Sequence, residues 1–217
     1  MNLYVFTDYA CPFCYIAYKI CKKVEKETGC VFWPVYMEIH PDLPAQGAQS
    51  IHLFSDKRRE QINRQLKQLG QPYGIEPQIG ARLSSSKKAI TLRAYVTQHY
   101  PEKTQSYDDR IYELYHAKIS DIGDDVVLGR VCQALEIPEF LETMLGNFGA
   151  KQKLEDDKRW AGMNFIHITP TFIISCQEFP GESAGRPAHP HSSRGDEKRH
   201  EGILQEQALA ALILEAQ

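Results

Sequence analysis

The chain has 217 residues and a mass of 24.8 kDa, which suits one domain, or one core with a large insertion, without a disulfide framework. A net charge of −3 and a pI near 6.2 exclude a strongly basic protein, so the composition gives no case for a nucleic-acid partner. No run approaches the ~20 apolar residues of a membrane span, and no apolar leader follows Met1. We therefore expect a soluble, cytoplasmic protein without a membrane partner.

The first structural signal is an apolar run that leads into two closely spaced cysteines. Residues 3–6 are all apolar, which is typical of a strand buried on both faces. A Cys-Pro-Phe-Cys sequence at residues 11–14 then begins a segment with helical spacing, which should end at Gly29. Residues 30–37 predict a second strand, in which Pro34 indicates a sheet edge or a bulge. The unit is therefore strand, Cys-x-x-Cys helix, strand.

Helical patterns dominate the middle of the chain. They are predicted over residues 55–70, 84–100, 107–119, 124–135, 140–145 and 150–163. After them, Thr169-Pro170 introduces a short apolar strand, with the proline at the strand start where its missing N–H costs no ladder bond. Residues 177–202 are rich in Pro, Gly, Ser, Arg and His and are expected to be poorly ordered, while residues 203–216 return to a helix.

This order of elements predicts an α/β protein in which a sheet-containing base is divided by a helical insertion. We assign residues 1–54 to the first part of the base, residues 55–148 to the α-helical insertion and residues 149–217 to the second part.

The chemistry of the cysteine pair depends on its position relative to the helix. A thiolate attacks disulfides whereas a thiol does not, so an exposed exchanging cysteine needs a pKa well below about 8.5. A helix that begins at Cys11 supplies this, because its free N–H groups and positive dipole end favour a negative sulfur. Pro12 fits the first helical position, and Cys14, one turn later and more enclosed, is placed to resolve a mixed disulfide. The sequence favours such a redox pair over an incidental pair or two metal ligands.

The remaining cysteines carry no spacing signal. Cys21, Cys30, Cys132 and Cys176 are expected to be small buried hydrophobes. No second Cys-x-x-Cys and no spaced histidine pair completes a zinc site, so we expect no metal. We also expect no organic cofactor beyond the redox-active disulfide Cys11–Cys14, with glutathione as a candidate small thiol.

Three stretches together carry a family resemblance. They are Phe6-x-Asp8-x-x-Cys11-Pro12-Phe13-Cys14-Tyr15, then Asp121-Ile122-Gly123-Asp124 followed by Leu128, and finally Thr169-Pro170-Thr171-Phe172. Over residues 2–175 the chain resembles the DsbA-like thioredoxin superfamily. Within it the chain is most similar to the FrnE-type oxidoreductases, relatives of the 2-hydroxychromene-2-carboxylate isomerases and kappa-class glutathione transferases.

The resemblance implies a thioredoxin-like fold split by an α-helical insertion. It also implies that Cys11 is the nucleophile, Cys14 the resolving cysteine and Pro170 a cis-proline that faces them. Thr169 would present backbone groups to an extended substrate by β-augmentation. The Pro12-Phe13 pair between the two cysteines would line the same substrate-binding surface.

The chain departs from the family pattern on both sides of its late strand. Phe165 and Ile168 replace the usual glycines before the proline, and His167 stands where a small residue is common, either as a thiolate partner or as an edge residue. After Ile174 the family has a hairpin strand, but the polar stretch here does not predict one, and residues 196–200 are expected to be a solvated charged run.

Three functions are compatible with this pattern. The leading hypothesis is a thiol–disulfide oxidoreductase that acts on protein or small dithiols and is recycled by a redox partner, with the net direction left open. A glutathione-dependent isomerase or transferase is the second hypothesis, although those relatives usually carry Ser at the position of Cys11. The third is a non-catalytic, chaperone-like module that uses the Thr169-Pro170 groove for binding.

Overall fold

The computed structural model describes residues 2–175, 197–202 and 208–209. Six strands fall in this part of the chain: β1 (Asn2–Thr7), β2 (Phe32–Tyr36), β3 (Ala48–Gln49), β4 (Arg82–Leu83), β5 (Thr171–Ser175) and β6 (Glu197–Glu201). Seven α-helices fall in it: α1 (Pro12–Thr28), α2 (Asp56–Gly70), α3 (Lys87–His99), α4 (Thr104–His116), α5 (Asp125–Ala134), α6 (Leu141–Gly146) and α7 (Phe148–Met163). None of these helices is long and apolar enough to cross a bilayer.

Strand β1 lies inside a four-stranded sheet with the order β2-β1-β5-β6. It pairs parallel with β2 and antiparallel with β5, and β5 pairs antiparallel with β6. Leu3 and Val5 pack on one face with α1 and α2, while Tyr4 and Phe6 pack on the other face with Trp160 of α7. The fully apolar sequence of β1 therefore reflects burial on both faces, as predicted.

Strand β2 forms one edge of the sheet, and its sequence suits an edge. The N–H of Phe32 points away from β1 and donates to the Glu25 carboxylate of α1 at 2.9 Å. Pro34, two residues further along the strand, therefore has its missing N–H on the same outer side, where no ladder hydrogen bond is lost. The predicted edge position of Pro34 is confirmed.

The inserted helices do not all pack in one place. Helices α3, α4, α5 and α6 share a core cluster that reaches the two cysteines. Helix α2 instead packs on α1, where Ile62 and Leu66 join the cluster on the sheet. Helix α7 bridges the two regions, since Ala150 and Leu154 face α3 while Trp160 lies on the sheet. The insertion is therefore packed against the base along much of its length.

Two helix ends agree with the sequence and one differs from it. Helix α1 ends at Gly29, which has φ of 72°, and the Asp124 side chain caps α5 by accepting from Val126 and Val127 N–H groups. Helix α4 runs over 104–116 rather than the predicted 107–119, because Ile119 has φ of 53°, outside the helical region.

The largest local correction concerns the stretch expected to be poorly ordered. Its last residues form β6, which completes the sheet against β5, while residues 177–196 lie outside the described part of the chain. The predicted helix over 203–216 also lies outside it, apart from helical residues 208–209. Among the extra cysteines, Cys21 and Cys132 are buried as predicted, Cys30 is half-buried, and Cys176 is not described.

Candidate active site around Cys11 and Cys14

The start of α1 presents the cysteine pair. Cys11 is the N-cap residue with extended backbone, and Pro12 occupies the first helical turn. The Cys11 N–H donates to the Asp8 carbonyl at 3.2 Å, and the Cys14 N–H donates to the Cys11 carbonyl at 3.0 Å. This turn holds the Cys11 sulfur at the positive end of a 17-residue helix with no acidic residue in its first turn.

The loop before β5 covers Cys11. The Thr169–Pro170 peptide bond is cis, and the Cys11 thiol donates to the Thr169 carbonyl oxygen at 3.3 Å. The structure thus brings together residues 158 positions apart, as the resemblance implied. His167 lies in the same loop and is exposed. The loop residue that contacts the Cys11 sulfur is Thr169.

Four hydrogen bonds hold this loop in place. The Thr171 hydroxyl donates to the Ile168 carbonyl at 2.8 Å, and the Gly202 N–H donates to the Pro170 carbonyl at 2.8 Å. Arg199 of β6 donates to the carbonyls of Asn164 at 3.1 Å and of Phe165 at 3.0 Å. Arg199 was expected to belong to a solvated charged run; its side chain is exposed, and it also contacts these two loop carbonyls.

Burial distinguishes the two cysteines. Cys11 was expected to be exposed, but it retains only 4 % exposure because Thr169 lies against it, and Cys14 retains none. A hydrogen bond from the Cys14 thiol is the main influence that lowers the Cys11 pKa, against the opposing effect of burial. Burial raises the Cys14 pKa well above its ordinary value. Cys11 is therefore the more acidic and the more accessible of the two sulfurs.

Asp8 is buried beside the pair and does not face solvent. Its carboxylate accepts the N–H groups of Ala10 at 3.0 Å and Ile39 at 2.7 Å, so it shapes the turn into α1. Burial raises its pKa to about 6 despite these hydrogen bonds, and its charge in turn raises the Cys11 pKa. The turn role suggested by the sequence is present in the geometry.

The pH dependence of stability should report on Asp8. Its folded-state pKa of about 6 lies above the ordinary 3.8, so its contribution favours folding at low pH and is lost as the pH rises through about 6. Between about pH 4 and 7, wild type should lose on the order of 2–3 kcal/mol of unfolding free energy relative to Asp8→Asn. Urea unfolding across this range measures the difference, and parallel pH profiles would contradict the assignment.

A buried ion pair that the sequence did not predict lies behind the active-site turn. Arg93 of α3 donates to Asp108 of α4 through Nε at 2.8 Å and through a terminal nitrogen at 3.2 Å. Asp108 also accepts from the hydroxyls of Tyr9 and Tyr36, and the guanidinium of Arg93 lies over the Tyr36 ring. Because Tyr9 comes just before Cys11, this network connects the helical insertion to the start of α1.

Aromatic stacking makes a second connection between α1 and α4. The rings of Tyr15 and Tyr112 are stacked at 5.2 Å, and the Tyr112 hydroxyl lies 3.0 Å from the Thr7 hydroxyl of β1. His116 Nε2 donates to the Tyr9 carbonyl at 2.8 Å, and burial lowers the His116 pKa to about 4. These α4 residues carry no motif that would have revealed their contacts from the sequence.

The two segments that meet at Cys11 carry apolar side chains. Phe165 and Ile168, which precede the cis bond, are largely exposed, and Phe13 is half-buried beside the cysteines. Pro12 is buried in the first turn of α1. Within the described residues, no group of three His, Cys, Asp or Glu side chains is arranged to hold a metal ion. Cys11, Cys14 and Thr169 therefore meet where the start of α1 lies against the cis-proline loop.

Comparison with known proteins agrees with this geometry. The family model described as the DSBA-like thioredoxin domain matches residues 2–185. A probable DsbA oxidoreductase from Streptomyces coelicolor has a TM-score of 0.75 at 14 % identity, covering 100 % of this chain and 89 % of its own. No curated protein sequence matches the chain.

Two further solved structures share the fold at low sequence identity. A 2-hydroxychromene-2-carboxylate isomerase has a TM-score of 0.67 at 14 % identity, covering 99 % of this chain and 94 % of its own. The cytosolic disulfide reductase DsbM from Pseudomonas aeruginosa has a TM-score of 0.60 at 14 % identity, covering 99 % of this chain and 98 % of its own.

These matches confirm the predicted fold class, a thioredoxin-like α/β fold split by an α-helical insertion. They also agree with the resemblance drawn from Cys11, Cys14 and Thr169-Pro170. Since the family model extends over most of the sequence and includes the whole cysteine site, the chain belongs to the DSBA-like thioredoxin domain family.

Proposed function

We propose that this protein is a thiol–disulfide oxidoreductase that exchanges disulfides through Cys11 and Cys14. The Cys11 thiolate attacks a substrate disulfide, which gives a mixed disulfide and one released thiolate. Cys14 then attacks the Cys11 sulfur, which frees the second substrate thiolate and leaves the Cys11–Cys14 disulfide. The substrate gains two electrons and the protein loses two, so a thiol partner must reduce the protein again in each cycle.

The observation that carries this proposal is the unequal pair of sulfurs at the start of α1. Cys11 sits at the helix N-terminus with a lowered pKa and some exposure, whereas Cys14 is fully buried with a raised pKa. An attacking cysteine and a resolving cysteine need this difference. A pair of metal ligands or of structural cysteines would not require such a difference in pKa and burial.

The presence of both cysteines also distinguishes disulfide exchange from the two alternative functions. A glutathione-dependent isomerase or transferase of the chromene-carboxylate type would need only one polar group at the first motif position. A binding module without turnover would need neither sulfur. Both sulfurs are present here, one at the N-cap of α1 and the other in its first turn. This arrangement supports exchange chemistry over both alternatives.

The substrate and the reducing partner are proposed from chemistry. The exposed Phe165 and Ile168 precede the cis bond in the loop that contacts Cys11, and they suit an apolar or polypeptide disulfide substrate. Glutathione is a suitable small thiol for recycling, and the related fold of DsbM has been solved with glutathione bound. A reducing, cytoplasmic setting would favour net reduction of substrates.

Equilibration with glutathione buffers tests the proposed function. After alkylation of free thiols, mass analysis should show Cys11 and Cys14 converting together between dithiol and disulfide as the ratio of oxidised to reduced glutathione rises. Cys132 is buried among the inserted helices, so it should react with the alkylating reagent only when the protein is unfolded. A Cys11–Cys14 pair that forms no disulfide under any ratio would exclude the proposal and leave a binding role.

The acidity of Cys11 should depend on Cys14. Because the Cys14 thiol is the main influence that lowers the Cys11 pKa, Cys14→Ala should raise the Cys11 pKa. Ultraviolet absorbance of the thiolate, titrated against pH, measures this. The Cys30→Ser variant serves as the control, and an unchanged midpoint in Cys14→Ala would contradict the assignment.

A further inference from the structure

The turn that leads into α1 contains a tyrosine that is buried completely. Residues 8–11 form a tight turn, in which the Cys11 N–H donates to the Asp8 carbonyl at 3.2 Å. Tyr9 and Ala10 are the two central residues of this turn, and the Tyr9 side chain has no exposed surface. Because only Ala10 separates Tyr9 from Cys11, a displacement of Tyr9 is passed on to Cys11.

Three residues of α4 lie along Tyr9. The Tyr9 hydroxyl donates to Asp108, the Tyr112 ring packs edge-on against the Tyr9 ring with 4.9 Å between centroids, and His116 Nε2 donates to the Tyr9 carbonyl at 2.8 Å. The three are spaced four residues apart, so they follow one face of α4 and span about 12 Å along its axis. We call Asp108, Tyr112 and His116 the α4 stripe. It contacts Tyr9 at its tip, its ring and its backbone.

The α4 stripe is itself held from other directions. Asp108 accepts two hydrogen bonds from Arg93 of α3, at 2.8 and 3.2 Å. The Tyr112 ring is stacked on Tyr15 of α1 at 5.2 Å. All three residues of the stripe are buried. Since buried polar groups of a network move only together with their partners, the stripe is a fixed support for Tyr9.

We propose that Tyr9 is a positioning residue for Cys11, and that the α4 stripe fixes through it where the attacking sulfur lies at the start of α1. The inference rests on the proposed function, in which Cys11 attacks the substrate disulfide. It adds a role for the helical insertion in that step, because α4 belongs to the insertion. Tyr9 acts on the sulfur through the turn.

The position of the sulfur matters because the interactions that favour its thiolate are short-ranged. Cys14 is the main influence that lowers the Cys11 pKa, and the positive end of α1 also favours a negative sulfur at the N-cap. Both effects weaken when the sulfur moves away from the first turn of the helix. A looser turn should therefore raise the Cys11 pKa toward its ordinary value and slow attack at neutral pH.

Alkylation of Cys11 by iodoacetamide in the reduced protein tests this role. Tyr9→Phe keeps the ring and removes the hydroxyl that reaches Asp108. We expect its Cys11 alkylation rate at neutral pH to fall by about twofold to tenfold, the range for the loss of one hydrogen bond. The midpoint of the pH profile, followed by mass analysis from about pH 5 to 10, should move upward. Asp8 and Cys14 are the titratable groups that act on Cys11, and no variant in this set replaces them.

Tyr107→Phe is the matched control for Tyr9→Phe. Tyr107 is a fully buried tyrosine of α4, and its hydroxyl donates to the Ala89 carbonyl of α3 at 2.8 Å. This hydroxyl therefore joins two inserted helices and does not hold the turn. Tyr107→Phe should lose stability in urea and leave the Cys11 profile unchanged, which separates positioning from general packing.

The backbone contact of Tyr9 gives an independent pair of variants. His116→Leu removes the donor to the Tyr9 carbonyl and should slow Cys11 alkylation, whereas His116→Gln supplies a side-chain N–H and should recover most of the wild-type rate. An unchanged Cys11 profile in Tyr9→Phe or, if that variant does not fold, in His116→Leu would overturn the positioning role. An equal change in Tyr107→Phe would also overturn it. A wild-type Cys11 with the midpoint of an ordinary thiol would instead overturn the proposed function.

Discussion

The Cys11→Ser variant is expected to lose disulfide exchange entirely, down to the rate measured without protein. A serine hydroxyl at the start of α1 remains protonated at neutral pH and cannot replace a thiolate as the attacking group. Insulin reduction in the presence of glutathione measures this loss. Cys14→Ser should behave differently, because it still attacks through Cys11 and should accumulate a mixed disulfide that mass spectrometry detects.

The matched control for this loss is Cys30→Ser. Cys30 is half-buried between α1 and β2 and takes no part in the proposed reaction, so its replacement should leave insulin reduction near the wild-type rate. Full activity in Cys11→Ser would show that the cysteine pair is not the reaction centre. Equal loss in Cys30→Ser would show instead that thiol removal damages the fold.

Replacement of Arg93 by Met is expected to cost about 3–5 kcal/mol of unfolding free energy, the usual effect of removing one partner of a buried ion pair. The Asp108 carboxylate would stay buried without its cation, while the tyrosine hydroxyls could offset only part of that loss. Urea unfolding followed by circular dichroism measures the change. The double variant Arg93→Met with Asp108→Leu should recover part of the stability, because no charge remains buried.

An exposed ion pair supplies the comparison for Arg93. Lys88 and Asp125 join α3 to α5 at 2.6 Å with side chains 39 % and 60 % exposed, so Lys88→Met should cost less than about 1 kcal/mol. A loss in Arg93→Met as small as that of Lys88→Met would contradict the importance of the buried network.

Local chemistry made the active-site helix predictable. Pro12 after Cys11, the helical spacing and Gly29 together predict where α1 begins and ends, and Pro34 predicts a sheet edge. The position of Thr169 against Cys11 came only through the family resemblance. Nothing in the local sequence shows that a residue so far along the chain will return to the start of α1.

The contacts behind the site could not be predicted for the same reason. Arg93 and Asp108 look like ordinary charged residues of amphipathic helices, and only the packing of α3 on α4 makes them a buried pair. Strand β6 was missed because its residues are charged and follow a polar stretch. A strand at the edge of a sheet can carry such residues, since one side of it faces solvent.

The central position of β1 has a consequence for synthesis on the ribosome. Its first partner, β2, follows within the next thirty or so residues, but its other partner, β5, is made only after the whole helical insertion. The nascent chain therefore carries the Cys11 sulfur without the Thr169 carbonyl for most of its elongation. Long-range pairing of this kind forms late in folding. The thiols of Cys11 and Cys14 are thus unprotected against premature oxidation until the last third of the protein has emerged.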